Sequence, residues 1–331
     1  MKIEKLTGKS YFTCAACMSV WADALSWANA NTKKVTKFIA NANNIIVLAC
    51  QVTDLAILND FRTAENLRDK FPDKNIFISG CLSERKDIPF PEGIERLDQM
   101  RCNCQEIKDK TLVNFEKPFW VPNFKKTGND MDQGNIFREK YPLRIGKGCP
   151  FNCTYCTIKY TRGKHEKYDI NEKMIQEFVN NDNILLIADS PTAQQIKDWC
   201  NLAIEKNKSI SMRNVEPQVA IKCKAELISV SQKGLLDIFH CPIQSNDVEV
   251  LKDMQRNVSA TLDMISVAES MKQFGTKIAT NIIIDYKDYP NDFAEIYDKY
   301  DYVSWNPLWN NVWNREEAEL RFKRYINQGE S

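Results

Sequence analysis

Asn44-Ile-Ile-Val-Leu-Ala-Cys50 and Asn75-Ile-Phe-Ile-Ser-Gly-Cys81 are short apolar runs that each end in cysteine. Each reads as a strand buried on both faces, the pattern of a parallel sheet covered by helices. Tyr11-Phe-Thr-Cys14-Ala-Ala-Cys17 repeats the pattern upstream. Helical stretches lie between them, Ser19 to about Asn31 and Thr53 to about Lys70. The second carries Leu55, Leu58 and Ala64 on a helical repeat, with Pro72 beyond its end. Strand, helix, strand, helix, strand predicts an α/β domain built on a doubly wound parallel sheet with right-handed crossovers.

Ligands of such sheets bind at the carboxyl ends of the strands. Cys17, Cys50 and Cys81 all fall there. Helix N-termini begin at the same level and favour thiolate charge. A single buried cysteine packs like a small hydrophobe; three at equivalent strand ends predict a shared metal–sulfur site. Cys14 and Cys17 compete for the first position. Aligning the strand so that a small residue precedes the cysteine selects Cys17, after Ala16, and leaves Cys14 inside the strand.

Further along, Gly146-Lys-Gly-Cys149-Pro-Phe-Asn-Cys153-Thr-Tyr155-Cys156 puts three cysteines on one loop at C-x3-C-x2-C spacing. Soft thiolates select iron–sulfur clusters or zinc. Structural zinc takes four protein ligands, in pairs from separated segments. No fourth Cys or His follows at that spacing here, and the next histidine, His165, lies beyond a basic run. Three local thiolates instead suit a four-iron, four-sulfur (4Fe–4S) cube with one iron open to a substrate.

A hydrophobic content of 43% with 27% charged residues is that of a globular chain. Lys+Arg at 45 against Asp+Glu at 44 leaves a net charge of +1, without the basic bias of a dedicated nucleic-acid binder. No apolar run approaches the ~20 residues of a membrane span, and the start lacks a signal-peptide core. These features predict a cytoplasmic protein with no membrane partner. In a reducing compartment twelve cysteines ask for a role other than disulfides.

From about Ile136 strands and helices alternate again. Strands are expected at Ile184 to Ala188, Ser209 to Met212, Leu235 to Phe239, Lys277 to Ile284 and Tyr302 to Trp305, with one more leading into Cys149. Helices are expected at Lys173 to Asn180, Ala193 to Glu205, Ala220 to Ser231 and Thr261 to Phe274.

The chain resembles the radical S-adenosylmethionine (SAM) methylthiotransferases, which modify tRNA adenosines or a ribosomal-protein aspartate. The stretch from Cys149 to Lys164, CPFNCTYCTIKYTRGK, is close to that family's cluster loop and the Arg-Gly pair after it. Gly80-Cys81-Leu-Ser-Glu-Arg85, Arg213-Asn-Val-Glu216-Pro217 and His240-Cys-Pro242-Ile-Gln244-Ser245 resemble further family segments, as does Met254-x-Arg256. Three stretches depart from it. Leu48-Ala49 precede Cys50 in place of Asn-Thr. Ala188-Asp189-Ser190 stands for a Gly-Gln-Asn/Asp turn, and Asp285 to Pro290 replaces a Gly-Phe-Pro-Gly-Glu-Thr loop. The family's TRAM-type β-barrel is expected to be lacking, since the chain ends at Ser331, about where it would begin.

The resemblance implies an N-terminal α/β domain over residues 1–115, a linker over 116–135, and a radical SAM partial (β/α)6 TIM-like barrel over 136–331. It implies two 4Fe–4S clusters, one on Cys149, Cys153 and Cys156 with SAM on the open iron, the other on Cys17, Cys50 and Cys81. The implied activity inserts sulfur or a methylthio group at an unactivated C–H bond, by way of a 5′-deoxyadenosyl radical. The substrate would be a peptide, a protein or a small molecule, and the electron donor a flavodoxin or ferredoxin. The alternatives are a tRNA methylthiotransferase acting with a partner, and an inactive iron–sulfur redox or binding protein.

Tyr155 is expected near the adenine or in ordinary loop packing. Arg213, Glu216 and Gln244 are candidates for cofactor contacts or for structural roles. Arg162 and Lys164 either offset cluster charge, touch substrate or form a solvated run, and His240 is a site or a core histidine. Cys102-Asn-Cys104 reads as a chance pair, and Cys200, Cys223 and Cys241 as core residues. Trp305 to Trp313 reads as a packed C-terminal loop or a stacking platform.

Overall fold

Parallel pairing dominates both sheets of the computed structural model. It describes the chain apart from residues 15, 101–105, 116–135, 138, 288, 290–295, 297–298, 308–312 and 329–331. Residues 1–123 with 310–331 form one compact unit and 124–309 a second.

In the first unit, β1 (Ser10–Cys14), β2 (Asn44–Ala49), β3 (Asn75–Gly80), β4 (Ile94–Arg96) and β5 (Asn114–Phe115) pair in the order β4-β3-β2-β1-β5, all parallel. Every residue of β2 is buried, which is why it reads as an unbroken apolar run. α1 (Met18–Ala30) follows β1, and α2 (Asp54–Lys70) follows β2. The Thr53 hydroxyl accepts the Ala56 N–H at 3.1 Å and caps α2. Ile57, Phe61 and Ala64 of α2 pack on Ile45, Val47, Ile76 and Ile78 of the sheet.

The sequence reading carried the second domain to residue 331. In the structure the helix Arg315–Gln328 packs on α2 instead. Arg315 reaches both Glu65 carboxylate oxygens at 2.8 Å, Trp313 sets edge-on against Phe61 with ring centres 5.8 Å apart, and Arg62 stacks over Phe322. These partners lie some 250 residues apart in sequence, so no local pattern announces them. Trp309, Cys102 and Cys104 lie outside the described residues.

In the second unit, β6 (Tyr141–Arg144) is followed by the short pair β7 (Gly146–Lys147) and β8 (Glu166–Lys167), which is antiparallel. Then come β9 (Ile184–Ile187), β10 (Ile210–Arg213), β11 (Leu236–His240), β12 (Lys277–Ile284) and β13 (Tyr302–Pro307). The main sheet runs β13-β12-β11-β10-β9-β6, all parallel, each strand laid beside its predecessor. The crossovers carry α3 (Ile158–Thr161), α4 (Glu172–Asn180), α5 (Ala193–Lys206), α6 (Pro217–Lys222), α7 (Lys224–Gln232), α8 (Val248–Asp253) and α9 (Val258–Lys272). This is the six-stranded partial barrel expected from the sequence, and such barrels work at the carboxyl ends of their strands.

Capping side chains set where these helices start. Asn171, Asp247 and Asn257 cap α4, α8 and α9. Thr192 and Gln195 form a reciprocal capping box on α5. Gln195 also donates to the Ile145 carbonyl at 2.6 Å, which ties α5 to the chain entering the cysteine loop.

Candidate metal centres

The first set of thiols sits at the carboxyl edge of the first sheet. Ala49 of β2 pairs with Gly80 of β3, so Cys50 and Cys81 leave the sheet at one level. Gly80 makes this closeness possible. Its φ is +93°, and a Cβ there would lie 2.6 Å from the Ala49 carbonyl oxygen. Cys17 is the N-cap of α1. Burial pushes the Cys50 thiol well above its ordinary range, and Cys17 and Cys81 push it further, so the three sulfurs share one neighbourhood.

Cys14 is the last residue of β1, opposite Leu48 and without exposed surface; burial pushes its thiol well above the ordinary range, and Cys17, Asp60 and Cys50 add to the rise. Asp60 was not singled out from the sequence. Its carboxyl group accepts the Cys50 N–H at 2.7 Å, and burial pushes its pKa up to about 8.

The second set lies on the loop between β7 and α3. Gly148 opens it with φ +70°, where a Cβ would meet the Lys164 carbonyl oxygen at 2.4 Å. The Gly148 N–H donates to Asp189 at 2.8 Å. Burial pushes Cys149 up to about 11 and Cys156 up to about 12, and raises Cys153 as well. Cys153 and Cys149 add to the rise at Cys156. The Ser190 hydroxyl and the Phe151 N–H act on Cys149 in the opposite sense.

The loop is pinned from its far side. Thr154 donates its N–H to the Met254 carbonyl at 3.2 Å and its hydroxyl to the Asp253 carbonyl at 3.1 Å. Its hydroxyl also meets the Tyr286 hydroxyl at 3.0 Å. Tyr155 packs against Val250, Met254, Ile283 and Tyr286, and its hydroxyl accepts from Arg256 at 3.1 Å. Tyr286 belongs to the stretch that replaces the family's Gly-Phe-Pro-Gly-Glu-Thr loop, so the substitute loop braces the cysteines.

The other named residues divide. Glu216 is the N-cap of α6, before Pro217, and its carboxylate pairs with Arg256 at 2.8 Å. Gln244 has φ +69° and bridges to β12, donating to the Asn281 carbonyl and accepting from Ile283, both at 2.8 Å. Arg213 ends β10 and is buried. Arg162 is not part of a solvated run. It is buried and pairs with Asp189 at 3.1 Å, with Arg144 3.8 Å from the other carboxylate oxygen. Lys164 is exposed.

His240 is fully buried. Its Nδ1 accepts the Asn214 N–H at 3.1 Å, so Nε2 carries the proton toward Asn281 Oδ1 at 2.9 Å. Burial pushes its pKa down to about 3, and it stays neutral. Cys200, Cys223 and Cys241 are fully buried. Arg256 and Asp189 are the residues whose weight the sequence did not reveal; the signals were the Met254-x-Arg256 pair and the altered turn at Ala188-Asp189-Ser190.

Among the described residues no three His, Cys, Asp or Glu side chains converge closely enough to hold a single metal ion. A 4Fe–4S cube, by contrast, spreads its thiolates over separate irons. Both sets offer soft donors; burial opposes deprotonation of Cys50 and of the three loop thiols, and metal binding supplies the drive for it. Gly80 and Gly148 let backbone approach closely, and at the loop a guanidinium faces one sulfur. The residues fit such a cluster at both places.

Residues 143–300 match the model of the Radical SAM superfamily. The tRNA-2-methylthio-N(6)-dimethylallyladenosine synthase of Bacillus subtilis is 25% identical over 300 residues, covering 80% of this chain and 57% of that protein. The ribosomal protein uS12 methylthiotransferase RimO of Petrotoga mobilis is 23% identical over 306 residues, covering 85% and 68%. A solved radical SAM methyltransferase, TsrM from Kitasatospora setae, covers 84% of this chain and 68% of its own at a TM-score of 0.46 and 8% identity. Residues 143–300, a little under half of the chain, are thus similar to radical SAM domains. Along about 80% of its length the chain is methylthiotransferase-like, though it spans little more than half of the B. subtilis relative.

Proposed function

We propose that the chain is a radical SAM enzyme that inserts sulfur, or a methylthio group, at an unactivated C–H bond of a peptide, protein or small molecule. The observation that carries this is the presence of two three-thiol sets, one at the carboxyl edge of each parallel sheet. Cys149, Cys153 and Cys156 would hold a 4Fe–4S cluster that binds SAM, and Cys17, Cys50 and Cys81 a second one. When bound, the first supplies the electron that cleaves SAM to methionine and a 5′-deoxyadenosyl radical. The chain's own residues do the positioning: Gly148 and Asp189 shape the loop, Thr154 and Tyr286 brace it, and Tyr155, Arg213 and Gln244 line the same strand ends. A flavodoxin or ferredoxin would deliver the electron in the cytoplasm, where thiols stay reduced.

The test is anaerobic incubation of the reconstituted chain with SAM and reductant. Formation of 5′-deoxyadenosine is expected. Its absence from a fully loaded protein favours an iron–sulfur redox or binding role. Mass spectrometry of host peptides, proteins and tRNA with and without the chain identifies the product.

The choice of first ligand is separately testable. In a chain already lacking Cys149, Cys153 and Cys156, Cys17→Ala removes the remaining cluster absorbance and Cys14→Ala retains it. The reverse result moves the site three residues upstream.

The relatives named for tRNA favour a second reading, tRNA methylthiolation with a partner. Against direct binding stands the net charge of +1, because non-specific affinity comes from Lys and Arg neutralising phosphates. Anisotropy with total tRNA at physiological salt is expected to show weak binding. A submicromolar, salt-sensitive affinity makes tRNA the substrate to pursue.

A further inference from the structure

Arg256 joins three separate segments at the second thiol set. It lies just after α8 and is buried, its side chain 2% exposed. One terminal nitrogen pairs with Glu216 at 2.8 Å and donates to the Pro242 carbonyl at 2.6 Å. The other donates to the Tyr155 hydroxyl at 3.1 Å and faces Cys153 Sγ at 3.9 Å. Its buried Nε has no acceptor among the described residues. The fork thus holds the aromatic and one sulfur of the cysteine loop against the Glu216 turn, with the guanidinium facing that sulfur.

We propose that Arg256 is a positioning residue that sets the reduction potential of the cluster held by Cys149, Cys153 and Cys156, with Glu216 as its counterweight. The inference rests on the cluster assignment proposed above. Reduction adds negative charge to a centre that already carries three thiolates. A buried cation beside one sulfur favours the reduced state more than the oxidised one, and weak screening in the interior keeps that difference large. Glu216 works in the opposite sense while it fixes the direction of the guanidinium. Lys keeps the charge of Arg but not the planar fork that reaches two partners at once.

Opposite signs distinguish this from a merely structural role. Full-length Arg256→Gln, Arg256→Lys and Glu216→Gln chains are reconstituted anaerobically and titrated electrochemically. The titration follows the EPR signal that is absent when Cys149, Cys153 and Cys156 are all alanine. Arg256→Gln is expected to shift the midpoint potential negative, because it removes the cation and leaves Glu216 uncompensated. Glu216→Gln is expected to shift it positive. Arg256→Lys should fall between the parent and Arg256→Gln. If Arg256→Gln takes up no iron, Glu216→Gln decides: a positive shift sustains the inference, and no shift or a negative one overturns it. Potentials equal to that of a fully loaded parent overturn the inference and leave the cluster assignment standing. A parent that shows no such EPR signal overturns both.

Discussion

A chain with alanine at Cys149, Cys153 and Cys156 retains about half the iron of the parent, about four atoms where the parent binds about eight, and makes no 5′-deoxyadenosine. The two thiol sets belong to different compact units, and each is framed by its own backbone device. Gly80 against Ala49 frames one, and Gly148 against Lys164 the other. Removing one set leaves the other's frame intact, so the loss should be partial in iron and complete in SAM cleavage. The thiols of the loop are each partly exposed and take no part in the hydrophobic core. Their replacement should therefore leave the melting temperature of the metal-free chain nearly unchanged, which separates loss of ligands from loss of fold. Iron analysis, product chromatography and thermal unfolding on one preparation give all three readings. Parent-like iron in the triple variant would remove the loop from the assignment.

Both sheets were legible because parallel strands buried on two faces write themselves as apolar runs, as Asn44 to Ala49 and Ile184 to Ile187 do. The strand-end cysteines followed from the same runs. The choice between Cys14 and Cys17 rests on the small residue before each cysteine; in the structure Cys14 ends β1 and Cys17 caps α1, both close to Cys50. The pair β7 and β8 was not legible: two residues each, with Lys147, Glu166 and Lys167 among them, carry no periodicity. The helix Arg315–Gln328 follows an aromatic stretch and owes its place to Glu65 and Phe61, far away in sequence.

The polar frame of the cysteine loop was the hardest part to read. Arg256 meets Tyr155 across 101 residues and Asp189 meets Gly148 across 41, and no spacing rule links such pairs. Arg162 and Glu216 looked available for substrate or cofactor because a charged residue in sequence declares no partner. The fold gives each a buried counter-charge.

Asp189→Ala is expected to cost about 3–5 kcal/mol of stability, the range for removing one partner of a buried ion pair. The carboxylate compensates Arg162 at 3.1 Å and Arg144 at 3.8 Å, with side chains 5% and 4% exposed, and it accepts the Gly148 N–H. Without it two buried guanidinium groups lose the carboxylate they share, and Gly148 loses the bond that opens the loop. At roughly 2–4 °C per kcal/mol for a domain of this size, the melting temperature should fall by about 6–20 °C. Asp189→Asn keeps an acceptor for Gly148 and removes only the charge, so it should lose less. Burial acts to raise the Asp189 carboxyl, but Arg162 and Arg144 outweigh it and hold the pKa below the usual carboxylate range. A depressed folded-state pKa gives stability that is present above the unfolded value, near 3.9, and lost as pH falls through the folded one. The gap between parent and Asp189→Asn should thus be full at pH 7 and close as the pH drops below about 4. Thermal unfolding of the metal-free chains across that range measures it. An Asp189→Ala chain as stable as the parent, or a gap that persists in acid, would mean that the carboxylate does not carry the Arg162 and Arg144 charges, and that the cysteine loop is held by Thr154, Tyr286 and Arg256 alone.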